Sequence, residues 1–253
     1  MSGVDRWTVV TRPNPDPRVR LFCFPYAGGS AAIYRTWGDV LPPDIEVQAV
    51  QLPGREWRLK EEPYTRLLPL VEDLVVVLKA LFETPFAFFG HSLGAVISFE
   101  LARELRRRGL PAPERLFLSG HRAPQLPKLE MDIHDAPDEL FYEGLRRLEG
   151  TPDELLENEE AMALLLPSMR ADFAMAETYA LTPEPPLDVP LSIFGGLGDL
   201  TTDREKLEPW AEHTTREFKV RMVPGGHFFV NEAPDLILRA VFQDLMPVQR
   251  RHA

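Results

Sequence analysis

One pentapeptide, Gly90-His-Ser-Leu-Gly94, constrains this chain more than any other segment. It follows a wholly apolar run, Phe86-Ala-Phe-Phe89, and precedes a stretch carrying Val96, Phe99, Leu101 and Leu105 at helical spacing. A strand that passes directly into a helix must turn sharply, and the residue at the apex is strained. Glycines on either side carry no Cβ, so strand and helix can cross closely. Such a turn lifts the Ser92 hydroxyl to the helix start, where backbone N–H groups and the helix dipole favour a developing anion. The plain alternative is a glycine turn without chemistry. The flanking strand and helix favour the G-x-S-x-G nucleophile elbow.

A strand as apolar as residues 86–89 is buried on both faces, as in parallel sheets covered by helices. The rest of the sequence repeats that alternation. Residues 19–24 and 45–50 are expected strands before Ser92, and residues 115–118, 191–194 and 218–223 after it. Leu67, Leu70, Val71, Leu74, Leu78 and Leu81 predict an amphipathic helix of about 16 residues. The helix after Ser92 closes in Arg106-Arg-Arg-Gly109, a basic last turn with a glycine stop. Ser30 is placed to cap a short helix with Ile33, Tyr34 and Trp37. Leu236, Ile237, Ala240, Val241 and Leu245 line a last helix over residues 232–245. The expectation is a single α/β domain over residues 1–253, with a mostly parallel sheet flanked by helices. Residues 125–182 break the pattern with helical pieces only. Pro137-Asp-Glu starts one, and Thr151-Pro-Asp-Glu154 is a capping box. Met162, Leu165, Leu166, Met169, Phe173 and Tyr179 line another, which Pro167 should kink or divide. A helical insertion between strands is expected to form a lid over the C-terminal edge of the sheet.

A serine hydroxyl needs a base to take its proton. Of the six histidines, His91 should point away from its neighbour's hydroxyl, His252 lies in a polar tail, and His213 in a charged helical stretch. His134 is in the insertion and His121 precedes it. His227 follows the last strand in Pro224-Gly-Gly-His227, and the order Ser, acid, His of this elbow fold selects it. The acid should end a strand between the two. Asp199, after Leu191-Ser-Ile-Phe-Gly-Gly-Leu-Gly198, is favoured by its tight glycine loop, with Asp203 as competitor. The acid would fix the imidazole tautomer and stabilise the imidazolium. An oxyanion hole needs two backbone N–H donors. Leu93 supplies one, and either Tyr26 or Ala27, in Tyr26-Ala-Gly-Gly29, the other.

Five motifs in this order, Phe24-Pro-Tyr-Ala-Gly-Gly-Ser30, Leu52-Pro-Gly-Arg-Glu56, Gly90-His-Ser-Leu-Gly94, Ser119-Gly-His-Arg-Ala-Pro124 and Gly225-Gly-His-Phe-Phe229, make the chain similar to type II thioesterases of polyketide synthases and nonribosomal peptide synthetases. The resemblance covers nearly the whole chain. It implies an α/β-hydrolase fold and an editing hydrolase that frees stalled or aberrant acyl groups from the phosphopantetheine thiol of a carrier protein. It maps the catalytic roles onto Ser92, Asp199 and His227, and a mobile lid onto the insertion. Met169, Phe173 and Phe228 are then candidate substrate contacts. The chain departs from the pattern at His121, where a basic residue is common. No cofactor or metal is expected beyond the phosphopantetheine that the substrate carries. A carboxylesterase or lipase with the same residues is the alternative, and a non-catalytic carrier-binding module a third reading.

Composition narrows the partners. The formal charge is −11, which disfavours nucleic acid. The single cysteine, Cys23, sits in an apolar strand and is expected in the core; it excludes an intrachain disulfide. The N-terminal residues lack a signal-peptide pattern, and no apolar run approaches the ~18 residues that span a bilayer. A cytoplasmic monomer with transient carrier contacts is expected. Arg103, Arg106, Arg107 and Arg108 form a basic cluster that would either dock a carrier or simply end a solvated helix, and Arg55, Arg58 and Lys60 a rival patch. Met162, Met169 and Met175 are suited to an adaptable acyl pocket or to ordinary packing. Trp37, Trp57 and Trp210 are assigned to packing.

Overall fold

The structure is a computed structural model that describes residues 6–128, 132–148 and 153–246. Thr151 and Pro152 of the expected capping box, and His252, lie outside these residues. Seven strands form one sheet in the order β1-β3-β2-β4-β5-β6-β7. They are β1 (Thr8–Val9), β2 (Val19–Phe24), β3 (Ile45–Val50), β4 (Phe86–His91), β5 (Leu116–Ser119), β6 (Leu191–Gly196) and β7 (Phe218–Val223). Only β1 runs antiparallel, against β3. The helices are α1 (Trp37–Val40), α2 (Leu67–Leu78), α3 (Leu93–Arg107), α4 (Asp138–Arg147), α5 (Asp153–Leu156), α6 (Glu159–Thr178), α7 (Arg204–Leu207), α8 (Phe229–Glu232) and α9 (Pro234–Leu245).

Alternation along the strands builds two cores, one on each side of the sheet. Phe86 and Phe88 of β4 join Phe22 and Phe24 under α2 and α3. Ala87 and Phe89 turn to the other face with Leu21, Trp37, Ile237 and Val241. Phe22 meets Phe82, Phe86 and Phe88 edge-on, with centroids 5.4, 6.2 and 5.9 Å apart, a favoured aromatic geometry. Cys23 is fully buried in the second core, and burial pushes its thiol pKa well up. Among the described residues, no helix is long and apolar enough to cross a membrane.

Several expectations need correction. The last helix begins at Pro234, two residues later than expected, because Glu232 ends the separate short α8; Pro234 sits in the first turn of α9, where its missing N–H costs nothing. Helix α6 runs through Pro167 undivided. One lost backbone bond is outweighed by burial on both sides, at Met162 before it and at Met169, Asp172 and Met175 after it. Trp37 and Trp210 are buried, but Trp57 is 53% exposed. It lies in a 3-10 turn (Glu56–Arg58) whose neighbours Arg55 and Arg58 are both buried. Those two arginines are therefore not a surface patch. Arg58 lies over the Trp7 ring and donates to the Gln51 carbonyl at 2.8 Å. The α3 cluster is neither free nor simply solvated. Arg103 pairs with Glu100 and donates to the Thr182 carbonyl, Arg106 and Arg107 both pair with Glu184, and Arg108 pairs with Glu104. These bonds tie the end of α3 to the chain that returns from α6 to β6.

On α9, Asp244 accepts from Ser192 of β6 at 2.6 Å and from Lys219 and Arg221 of β7 at 3.0 and 2.8 Å. Burial acts to raise its pKa, but the hydrogen bonds from Arg221, Ser192 and Lys219 outweigh it and lower the pKa to about 2. A carboxyl with a depressed folded pKa contributes stability above its unfolded pKa and loses it as pH falls toward the folded one. In urea melts, Asp244→Asn is expected to destabilise the protein at neutral pH. The gap to the unmodified protein should narrow as pH falls below about 4.

Candidate active site

The elbow is set by atoms that would collide elsewhere. A Cβ on Gly90 would overlap the Gly94 carbonyl, and one on Gly94 would overlap the Phe24 carbonyl. Backbone therefore packs on backbone where β4, α3 and the end of β2 meet. Between these glycines Ser92 has φ 52° and ψ −115°, a region that costs an L-residue about 1–3 kcal/mol. Its N–H donates to the Ser119 carbonyl at 2.7 Å, so the strained peptide is anchored to β5.

Asp199 and His227 come from the loops after β6 and β7. Those loops are joined by backbone bonds from Leu197 to the Val223 carbonyl and from Gly198 to the Gly225 carbonyl, at 2.8 and 2.9 Å. A Cβ on Gly196 would overlap the Gly226 carbonyl, which explains the glycines before Asp199. Nδ1 of His227 lies 2.8 Å from Oδ2 of Asp199. A carboxylate only accepts, so Nδ1 carries the proton and Nε2 is left as the basic nitrogen. Oδ1 of Asp199 accepts from Thr201 N–H and Oγ1 and from Thr202 N–H, at 2.8, 2.7 and 3.2 Å. Burial acts to raise the Asp199 pKa, but hydrogen bonds from His227 and Thr201 outweigh it and hold the pKa below its usual value. Asp203 serves the fold instead, since its side chain accepts from Lys206 N–H and caps α7.

His91 links the elbow to the His227 loop, a role its sequence position did not suggest. Its ring is fully buried, with Nε2 2.9 Å from the His227 carbonyl and Nδ1 2.9 Å from Ser119 Oγ. Burial pushes its pKa well below the usual value, so it is neutral. The carbonyl must receive the one ring hydrogen, and Nδ1 then accepts from the Ser119 hydroxyl. The strand register, which pairs His91 with Ser119, is the signal that would have found this chain of bonds.

The loop at residues 25–29 lies beside the start of α3, through the Gly94–Phe24 contact. Pro25 has no N–H. Gly28 N–H donates to Asp172 and Gly29 N–H to the Tyr26 carbonyl. That leaves the N–H groups of Tyr26 and Ala27 as the candidate donors of this loop, beside that of Leu93 in the first turn of α3. Phe228 stands at the site, with its ring centroid 4.9 Å from Tyr26 and 5.1 Å from His227. Met169 lies against Gly28, where an added Cβ would be 3.4 Å from its Cε. Phe173 faces Phe141 at 5.4 Å, in the small core of the insertion that also holds Met162 and Met169. Met175 belongs to the main core.

The remaining histidines serve elsewhere. His121 is half-buried; desolvation lowers its pKa to about 4, and its Nδ1 donates to the Arg122 carbonyl at 2.7 Å. His213 bonds Gln125 at 2.7 Å. His134, Asp132 and Glu177 gather potential ligand atoms within 4.8 Å. Glu177, however, already accepts from Ile133 N–H, His134 N–H and His134 Nδ1, which makes the group a cap on the chain entering α4.

The family profile described as "Thioesterase domain" matches residues 19–245. The gramicidin S biosynthesis protein GrsT of Aneurinibacillus migulanus is 45% identical over 233 residues, 92% of this chain and 91% of that protein. RedJ, a thioesterase from the prodiginine biosynthetic pathway in Streptomyces coelicolor, superposes with TM-score 0.85 at 39% identity, over 90% of this chain and 86% of its own. BorB, a type II thioesterase from the borrelidin biosynthetic cluster, gives 0.86 at 36% identity, over 95% and 98%. The Asp199–His227 pair is closed by a hydrogen bond, and His227 is tied to the elbow through His91. With the profile spanning the sheet from β2 through α9, this chain belongs to the thioesterase domain family, with type II thioesterases among its relatives.

Proposed function

We propose that the protein is an editing thioesterase that removes stalled or aberrant acyl groups from the phosphopantetheine thiol of acyl or peptidyl carrier proteins. The observation that carries this reading is the Asp199–His227 pair, joined through His91 to the Ser92 elbow. The biosynthetic settings of the relatives supply the substrate class.

In the proposed reaction Ser92 Oγ attacks the thioester carbonyl carbon and its proton passes to Nε2 of His227. The N–H groups of Leu93 and of Tyr26 or Ala27 hold the oxyanion, each donor worth on the order of 10²–10³ in rate. The intermediate collapses, the C–S bond breaks, and the thiol leaves with the proton from His227. Water, deprotonated by the same nitrogen, attacks the acyl-Ser92 ester, and a second collapse frees the acid. Asp199 stays ionised and stabilises the imidazolium. A thiolate leaves readily, so forming the oxyanion is the demanding step. The reaction needs no cofactor beyond the phosphopantetheine of the substrate. The insertion serves as a lid, with Met169 and Phe228 nearest the acyl group. The protein acts as a cytoplasmic monomer in transient contact with its carriers.

Ser92→Ala should abolish hydrolysis of acyl-pantetheine thioesters while leaving the melting transition in place; full residual turnover would sink the proposal. Matched rates on a carrier-bound thioester and an oxygen ester of the same acyl chain separate it from a carboxylesterase, with the thioester expected to be faster. Asp199→Asn is expected to cut kcat by about 10⁴, whereas Asp203→Asn should cost only part of a helix cap, about 1 kcal/mol or less. Met169→Ala should shift acyl-chain preference toward bulkier chains, and an unchanged chain-length profile would remove Met169 from the pocket.

A further inference from the structure

The loop that carries the candidate oxyanion donors is gripped by side chains from two distant parts of the chain. Asp172 of α6, fully buried, accepts from Gly28 N–H at 2.7 Å. The same carboxylate takes both Nη atoms of Arg55, at 2.7 and 2.8 Å. Arg55, itself buried, also donates to the Gly29 carbonyl at 2.8 Å. Gln51 accepts from Ala31 N–H at 2.9 Å, and Glu56 from the Ser30 hydroxyl at 2.5 Å. Residues 28, 29, 30 and 31 are thus each held at a polar group. Three of the gripping side chains come from residues 51–56 and the fourth, Asp172, from the insertion. Glu56 has φ 47° and shares a positive φ only with Ser92 among the described non-glycine residues. Such strain persists where surrounding contacts over-determine a turn.

We propose that Asp172 is a positioning residue. Through Gly28 and Arg55 it fixes the loop at residues 26–29, so that the oxyanion donors are aligned only while α6 of the insertion is seated. This rests on Ser92 as nucleophile and on that loop as part of the oxyanion site. A tie that merely fastened the insertion to the sheet could end on any side chain. This one ends on the backbone next to the donor peptides. Bidentate guanidinium–carboxylate bonds fix direction as well as distance, and a misplacement of about 1 Å in such a frame costs up to 10²-fold in rate. Without the Asp172 charge, Arg55 is a buried cation with no counter-charge, and Gly28 N–H loses its charged acceptor.

A fluorophosphonate tests this directly, because its phosphoryl oxygen enters the oxyanion site as Ser92 is labelled. In Asp172→Asn the labelling rate at Ser92 should fall by roughly 10²-fold. Affinity for an S-alkyl pantetheine thioether, which has no carbonyl oxygen, should stay within about threefold, because such a ligand makes no demand on the oxyanion donors. A second variant, Arg55→Met with Asp172→Leu, replaces the buried pair by apolar groups, a change that often preserves stability. It should melt cooperatively and still label slowly, because an apolar pair restores packing without the grip on Gly28 and Gly29. Wild-type labelling rates in either folded variant overturn the proposal. So does a loss of thioether affinity that matches the loss of labelling, which would mean a collapsed pocket. If the unaltered protein is not labelled at Ser92, the nucleophile assignment itself falls, and the positioning role with it.

Discussion

Two carbonyl oxygens, those of Gly94 and Phe24, occupy the space where Cβ atoms at Gly90 and Gly94 would be. Everything at the site follows from that backbone-on-backbone contact. It forces the turn that leaves Ser92 at φ 52°. It also sets the first turn of α3 against the loop that leaves β2. The sheet order then fixes what else can arrive. Strands β6 and β7 lie beyond β5, so Asp199 and His227 must be carried back toward β4 by their loops.

That return is organised by hydrogen bonds of defined direction. Ser119 donates to His91, His91 donates to the His227 carbonyl, and the His227 ring donates to Asp199. Each member has one hydrogen to give and one acceptor to meet. Burial keeps His91 neutral, which preserves the order of the chain. The backbone of His227 is thereby held by the elbow and its ring by the acid loop.

Local chemistry made much of this legible from sequence. Gly90, Gly94, Gly196 and Gly198 flag close approaches within a few residues of Ser92 or Asp199, and strand alternation announces the sheet. Long-range polar pairing has no such signature. Arg55 and Asp172 are separated by 117 residues and follow no period, so Arg55 looked like a surface cation. Arg106 and Glu184 were hidden in the same way. Strand β1 has two residues, too few for a pattern. Pro167 reports a local cost, whereas the continuity of α6 is decided by the burial of its neighbours. The acid-loop choice between Asp199 and Asp203 depended on distinguishing a strand end from a helix cap, and the glycines carried that distinction.

The arginines at the end of α3 bear on how a partner approaches. Arg103, Arg106, Arg107 and Arg108 are met by Glu100, Glu104 and Glu184, so their fields cancel within a few ångströms. The chain as a whole carries a formal charge of −11. Toward an acidic protein it therefore offers repulsion, felt out to about a Debye length of 8–10 Å, and little basic surface here to offset it. Encounter with such a partner is slowed rather than steered, and added salt relieves the slowing. Selectivity then has to come from fit at contact, a discrimination made after collision instead of before it.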